Sequence, residues 1–222
     1  MSPGEVTLAD HGVLFLDELP EFGRDVLEAL RQPLEEGRVA ISRVGRATTF
    51  PARFQLVAAM NPCPCGFAGD DAGRCHCPTS VVERYTDRVS GPLRDRIDLW
   101  VTMPRVPGSA LVGGPESEGS QAVAGRIAVT RARQTDRPGG RLNGRLSGRT
   151  LRLSCRLDPL TARRVVQLSE HERLSGRGTE RLLRVARTIA DLDGAPAVGI
   201  SQLEEAARFR SPALRLAEAL AS

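Results

Sequence analysis

The sequence predicts an α/β unit followed by a helical unit, and three observations carry that prediction. Two short apolar runs, Gly12–Leu16 and Phe54–Met60, each lead into polar residues, as strands buried on both faces of a parallel sheet do. A stretch rich in Pro, Gly and Ser spans 104–122. Beyond it, apolar residues recur at helical spacing. The predicted layout is an α/β core over 1–104, a linker over 105–122 and a helical unit over 123–222.

The elements follow in chain order. The run Val13-Leu14-Phe15-Leu16 predicts a first strand, ending at Asp17-Glu18. Val26, Leu27, Leu30 and Leu34 mark one apolar face of a helix over 23–36, which Pro33 should end or kink and Gly37 should close. Residues 38–54 read as a β-hairpin, with Val39, Ile41 and Val44 as strand formers and Gly45 at the turn. A second buried strand covers Phe54–Met60 and stops at Asn61. A Cys-rich loop at 62–78, a helix near 80–90 and a third strand at Ile97–Met103 complete the first unit. In the second, Asp158-Pro159 offers an N-cap followed by Pro at the first helical position. Leu182, Val185, Ala186 and Ile189 form a stripe at i, i+3, i+4, i+7, and Ser201 with Glu204 predicts a capping box.

Composition narrows the function classes. Apolar residues make up 41%, enough for a core, but aromatics only 4%, so that core is aliphatic. No run of 18 apolar residues predicts a membrane span, and the N-terminus lacks the pattern of a signal peptide, so a cytoplasmic location is expected. The net charge of +4 is unevenly placed: residues 124–187 hold 16 Arg against 5 acidic residues, while 1–123 hold 12 Arg against 17. Such a basic block could face nucleic acid or a nucleotide, although composition alone favours an ordinary solvated helical surface.

Asp17-Glu18 is the first candidate site. Open α/β sheets bind ligands at the carboxyl ends of their strands. In P-loop ATPases that position holds the magnesium-binding Asp, and a neighbouring Glu suits the role of base toward the attacking water. Yet every one of the 31 basic residues is Arg. The phosphate-binding pattern G-x-x-x-x-G-K-[ST] therefore cannot occur in this sequence.

Four segments carry a resemblance: GVLFLDELPEFGRDVLEALRQPLEEGRVAISR at 12–43, AAMNPCPCG at 58–66, SGPLRDRIDL at 90–99 and RLLRVARTIADL at 181–192. With these the chain resembles the magnesium-chelatase-like branch of the AAA+ ATPases, YifB/ComM type, over essentially its whole length. The resemblance implies a partial AAA+ P-loop NTPase sheet followed by a helical lid. It implies Asp17 as the Walker B ligand to Mg2+, Glu18 as catalytic base and Asn61 as sensor 1, an amide that places water without adding charge. Arg96 is similar to the arginine finger, with Arg94 a close rival, and Arg177 resembles sensor 2, with Arg184 second. Full members of the family carry a Lon-protease-like domain and the P-loop upstream of the segment matched here. The implied activity is that of a ring-forming, hexameric ATP-driven motor acting on DNA in recombination or natural transformation, with this chain alone inactive. A metal-chelatase motor subunit and a non-enzymatic fragment that modulates a full-length ring are the alternatives.

Two further features stand beside the resemblance. Cys63-Pro64-Cys65 and Cys75-His76-Cys77 are two C-x-C pairs, and four thiolates can satisfy tetrahedral Zn2+. Reduced or disulfide-forming thiols are the equal alternative, because the spacing is tighter than usual. Arg43 and Arg46 flank the hairpin turn. In related motors such a hairpin grips DNA, and the two Arg would then contact phosphates without reading sequence.

Overall fold

The computed structural model describes residues 4–43, 46–70, 72–106, 108–113 and 118–210. The chain forms two units, one reaching to Ile97 and the other beginning at Asp98. The first is mixed α/β with a small parallel sheet, and the second is helical among the described residues.

In the first unit, α1 (Glu5–Leu8) leads into β1 (Val13–Leu16) and a 3₁₀ turn at Leu19–Glu21. Next come α2 (Arg24–Ala29) and α3 (Arg31–Glu36). The expected single helix over 23–36 is thus two, broken at Leu30. Pro33 explains the break: its ring would strike the carbonyl of Ala29, four residues back, and it has no N–H to offer that carbonyl. Gly37 closes α3 at φ +65, and a Cβ there would lie 2.9 Å from Arg53 Cγ, so both conformation and space call for glycine.

The predicted hairpin strands are present, and Val44 and Gly45 of the predicted turn lie outside the described residues. β2 (Arg38–Arg43) and β3 (Arg46–Pro51) pair antiparallel from Arg38↔Pro51 to Arg43↔Arg46. β4 (Gln55–Ala58) then pairs parallel with β1, Val13 against Gln55 and Leu16 against Ala58. The expected burial of β1 on both faces is not observed. Its residues alternate in exposure, with Val13 58% and Phe15 60% exposed, because one parallel strand pair cannot cover its own faces. The predicted helix near 80–90 is α4 (Thr79–Thr86), and α5 (Gly91–Arg94) follows as a separate turn capped by Ser90. Buried Leu19, Leu27, Leu30, Tyr85, Val89 and Leu93 supply most of the unit's apolar interior.

The predicted strand at Ile97–Met103 is absent. No strand follows β4 among the described residues, and the Trp100 N–H bonds the Phe209 carbonyl at 2.8 Å instead of a sheet partner. Leu99, Val101 and Met103 are exposed, so the alternation that suggested a strand has no ladder or core to satisfy.

The second unit contains α6 (Gly108–Gly113), α7 (Ser120–Thr135), α8 (Gly148–Cys155), α9 (Pro159–His171), α10 (Gly176–Leu192) and α11 (Ile200–Arg208). Asp158 caps α9 as expected, its Oδ1 accepting the N–H groups of Leu160 and Thr161 at 2.8 and 3.0 Å. Leu182, Ala186 and Ile189 of the predicted stripe are buried, and Val185 packs at the margin of the same core. The capping box at Ser201 and Glu204 is corrected: α11 starts two residues earlier, capped at Gly199, and Gln202 Oε1 accepts the Gly199 N–H at 3.0 Å. Glu204 instead pairs with Arg164 at 2.6 Å.

Candidate active site and thiol cluster

Parallel pairing of β1 with β4 sets the geometry of the strand ends. Because Leu16 lies opposite Ala58, Asp17-Glu18 and Asn61 emerge at the same carboxyl edge of the sheet. The two exits are tied by backbone bonds, Ala59 N–H to the Leu16 carbonyl and Leu19 N–H to the Ala59 carbonyl, both 2.9 Å. All three side chains are exposed. Asp17 Oδ1 accepts the Glu18 N–H at 2.9 Å. Glu18 itself stands at φ +49, ψ +47, a left-handed conformation costing a non-glycine residue about 1–2 kcal/mol. Strain of this kind gathers at functional positions.

Tyr85 on α4 was not singled out from the sequence. It is buried. Burial first, then the charge of Glu21, pushes the Tyr85 phenol above its ordinary range. It is the only tyrosine in the chain, a large polar-tipped residue on the inner face of a predicted helix, which is the signal that could have found it.

Arg96 and Arg94 are not gathered with Asp17, Glu18 and Asn61. The Arg96 guanidinium is bound by Glu35 of α3 and donates to the Pro92 carbonyl at 2.7 Å, with only 11% of the side chain exposed. Arg94 donates to the Thr86 carbonyl at 2.5 Å and to Asp87 at 3.1 Å. Ser90, which caps the helix before both, donates to Glu28 of α2 at 2.5 Å. That bond, followed by one from Arg31, holds the Glu28 carboxyl below its usual range.

In the second unit, Arg177 is exposed in the first turn of α10. Arg184 lies about two turns further along α10, 3.6 Å from Glu180 and 3.9 Å from Asp98. The Arg43 and Arg46 side chains lie outside the described residues, although the strands that carry them pair up to that point.

The four cysteines of the 62–78 loop converge. Their sulfurs all lie within 4.8 Å of one another, and no disulfide joins them. A backbone hydrogen bond from Phe67, then one from the Cys63 thiol, pulls Cys65 down to about 6. For Cys75 a backbone hydrogen bond from Cys77 opposes the shift, but desolvation and donation toward Cys65 and Cys63 outweigh it and push that thiol up to about 11.

Residues 1–111 match the family described as magnesium chelatase, subunit ChlI, and residues 117–210 match its C-terminal family. The chain belongs to the magnesium-chelatase-like family. Within it, YifB of Escherichia coli is 44% identical over 213 residues, covering 94% of this chain and 41% of YifB. The competence protein ComM of Haemophilus influenzae is 43% identical over 210 residues, covering 94% of this chain and 41% of ComM. The chain therefore spans about two fifths of the length of these relatives, and it is a magnesium-chelatase-like protein of their type. A shorter match, 36% identical over 62 residues, covers 28% of this chain and 8% of the DNA replication licensing factor Mcm3 of Drosophila melanogaster. No helix among the described residues is long and apolar enough to cross a membrane.

Proposed function

We propose that this chain is the Walker B to lid portion of a cytoplasmic, ring-forming AAA+ motor that hydrolyses ATP and acts on DNA. The observation that carries the reading is the Asp17-Glu18 pair at the carboxyl end of β1, beside Asn61 and with Glu18 in strained backbone. Residues 1–104 form the ATPase core portion, 105–122 the connection and 123–222 the lid. The names of the relatives favour DNA over porphyrin metallation: one is a competence protein and another a replication licensing factor.

The donor set suits Mg2+. It is a hard cation that takes one or two carboxylates and keeps several waters, and Asp17 is an exposed carboxylate at a strand end. Bound there, Mg2+ would neutralise charge on a transferring phosphoryl group. The triphosphate finds no such fit, since no lysine exists in the sequence to cradle it. In this reading the Glu18 carboxylate accepts the proton of a water held by the Asn61 side-chain amide. Arg96, released from Glu35, serves a neighbouring subunit's nucleotide, while Arg177 and then Arg184 serve their own. Arg43 and Arg46 touch the DNA backbone.

The test uses rings of full-length polypeptide bearing this segment. Glu18→Gln should keep ATP binding and abolish hydrolysis, and unchanged hydrolysis would remove Glu18 from the base role. Arg96→Ala subunits mixed with Glu18→Gln subunits should regain activity, because an intact Glu18 can then meet a neighbour's intact Arg96. Mixed rings that assemble but stay inactive, while Arg94→Ala complements, would move the finger to Arg94. The 222-residue chain by itself should turn over no ATP.

A further inference from the structure

We propose that Cys63, Cys65, Cys75 and Cys77 are the four ligands of a tetrahedral Zn2+ site that fastens the segment after Asn61 to the start of α4. The metal site stands on its own geometry and does not depend on nucleotide chemistry.

Distance is the first argument. A Zn–S bond of about 2.3 Å in a regular tetrahedron sets the sulfurs about 3.8 Å apart. The Cys63–Cys75 and Cys65–Cys75 sulfur separations are 3.8 and 3.7 Å, and Cys63–Cys65 is 3.3 Å. All four atoms fall within 4.8 Å of each other, so small side-chain rotations suffice to close the tetrahedron. Four soft sulfur donors select Zn2+ over Mg2+ or Ca2+, which prefer oxygen.

The fold of the loop is the second argument. The two C-x-C pairs are brought together by contacts that need no metal. Arg74 donates to both Asp70 oxygens, at 2.7 and 2.9 Å, and its guanidinium stacks 4.4 Å from the Phe67 ring centroid. These contacts draw Phe67, Asp70 and Arg74 together. Gly66, at φ +80, makes the turn directly after Cys65, and its N–H bonds the Cys63 carbonyl at 3.0 Å. The Ala68 N–H donates to the Cys63 sulfur at 3.3 Å, the outer-shell bond that steadies a ligating thiolate.

The third argument is how little else holds the loop. Among its described residues the buried apolar ones are Cys63 and Ala68, packed on Val82 of α4, with Cys75 and Cys77 at the margin. So small an apolar core offsets little of the conformational entropy of ordering 62–78. A metal bound to four thiolates replaces the missing core, and the protons still on the thiols leave to solvent as it binds. His76 is not among the converging donors.

The experiment uses the 222-residue chain, purified under reducing conditions and passed over a chelating resin. About one equivalent of zinc per chain is expected, as a single four-coordinate site requires. A mercurial that titrates four thiols should release that zinc in step. Titrating metal-stripped protein with Co2+ should give the intense absorption of tetrahedral tetrathiolate cobalt, saturating at about one equivalent, and added Zn2+ should displace it. Cys155→Ser should retain the zinc, while Cys63→Ser and Cys75→Ser should lose it. Metal-free folded protein whose four thiols react independently, with no cobalt spectrum, would overturn the proposal. So would a mass two hydrogens lower, showing a disulfide, or zinc retained in a Cys65→Ser/Cys77→Ser double variant.

Discussion

Asp191 is the residue whose removal should do the most damage to the helical unit. Its carboxylate is buried on α10 and accepts from three donors: Arg187 at 2.9 Å, Arg137 at 3.0 and 3.3 Å, and Asn143 at 2.7 Å. Arg187, with its side chain only 2% exposed, also donates to the carbonyls of Ser154, Ala195 and Pro196. Asn143 extends the network to α7, its N–H bonding Gln134 at 2.9 Å. Asp191→Ala would leave the Arg187 guanidinium buried without a counter-charge. Arg137, a quarter exposed, can turn to water, but Arg187 cannot. Removing one partner of a buried pair costs about 3–5 kcal/mol. With a urea m-value of about 1.5 kcal/mol/M for a domain of this size, the midpoint should fall by about 2–3 M. Trp100, the only tryptophan, lies in this same unit and reports its unfolding by fluorescence. Asp191→Asn keeps an acceptor and should lose less. Adding Arg187→Leu to Asp191→Ala should cost less than the sum of the two single changes. A loss below about 1 kcal/mol for Asp191→Ala would show that the pair only breaks even against its desolvation, and would refute the reasoning.

Two predictions concern the same unit. Hydrogen bonds from the Thr161 side chain, then from the Thr161 and Leu160 N–H groups, hold the Asp158 carboxyl below its ordinary range. A depressed folded pKa means that the stabilisation is present above the unfolded value and lost as pH falls through the folded one. Wild type should therefore weaken on its acid limb more than Asp158→Asn, which still caps; equal acid slopes in urea titrations would remove Asp158 as a contributor. Burial pushes the Cys155 thiol up to about 11, so in folded protein at neutral pH it should resist alkylation until urea unfolds the unit. Rapid labelling of Cys155 in native protein, located by peptide mass, would contradict that.

The elements legible in the sequence were those whose signal is local. Asp158-Pro159 fixes its own cap, and Gly37 its own helix end. The apolar runs that stop on Asp17-Glu18 and Asn61 announced β1 and β4 as strands, while their direct parallel pairing, which brings those ends together, is seen in the structure. What failed depended on partners. Leu99, Val101 and Met103 have strand-like alternation, but pairing is a property of two chain segments, and no second one takes them up. Pro33 announced a break without its position, because the clash falls four residues upstream. Glu35 as the holder of Arg96 joins residues far apart in the chain, and no spacing rule reaches it. The convergence of two C-x-C pairs was visible as a ligand count, whereas the Arg74–Asp70 contact that makes them converge was not.

The wet face of the small sheet has a thermal consequence. Phe15 pairs with Val57 across the two strands, Val13 lies two residues before Phe15, and all three are exposed in the folded state. The heat-capacity increase on unfolding comes from apolar groups that are dry when folded and wet when not. Groups already wet contribute nothing to it. The first unit should therefore unfold with a smaller heat-capacity increment per residue than the helical unit, whose core of Leu151, Leu182 and Leu203 is fully sealed. Its stability should vary more gently with temperature, so that warming and cooling separate the two units even where their midpoints coincide.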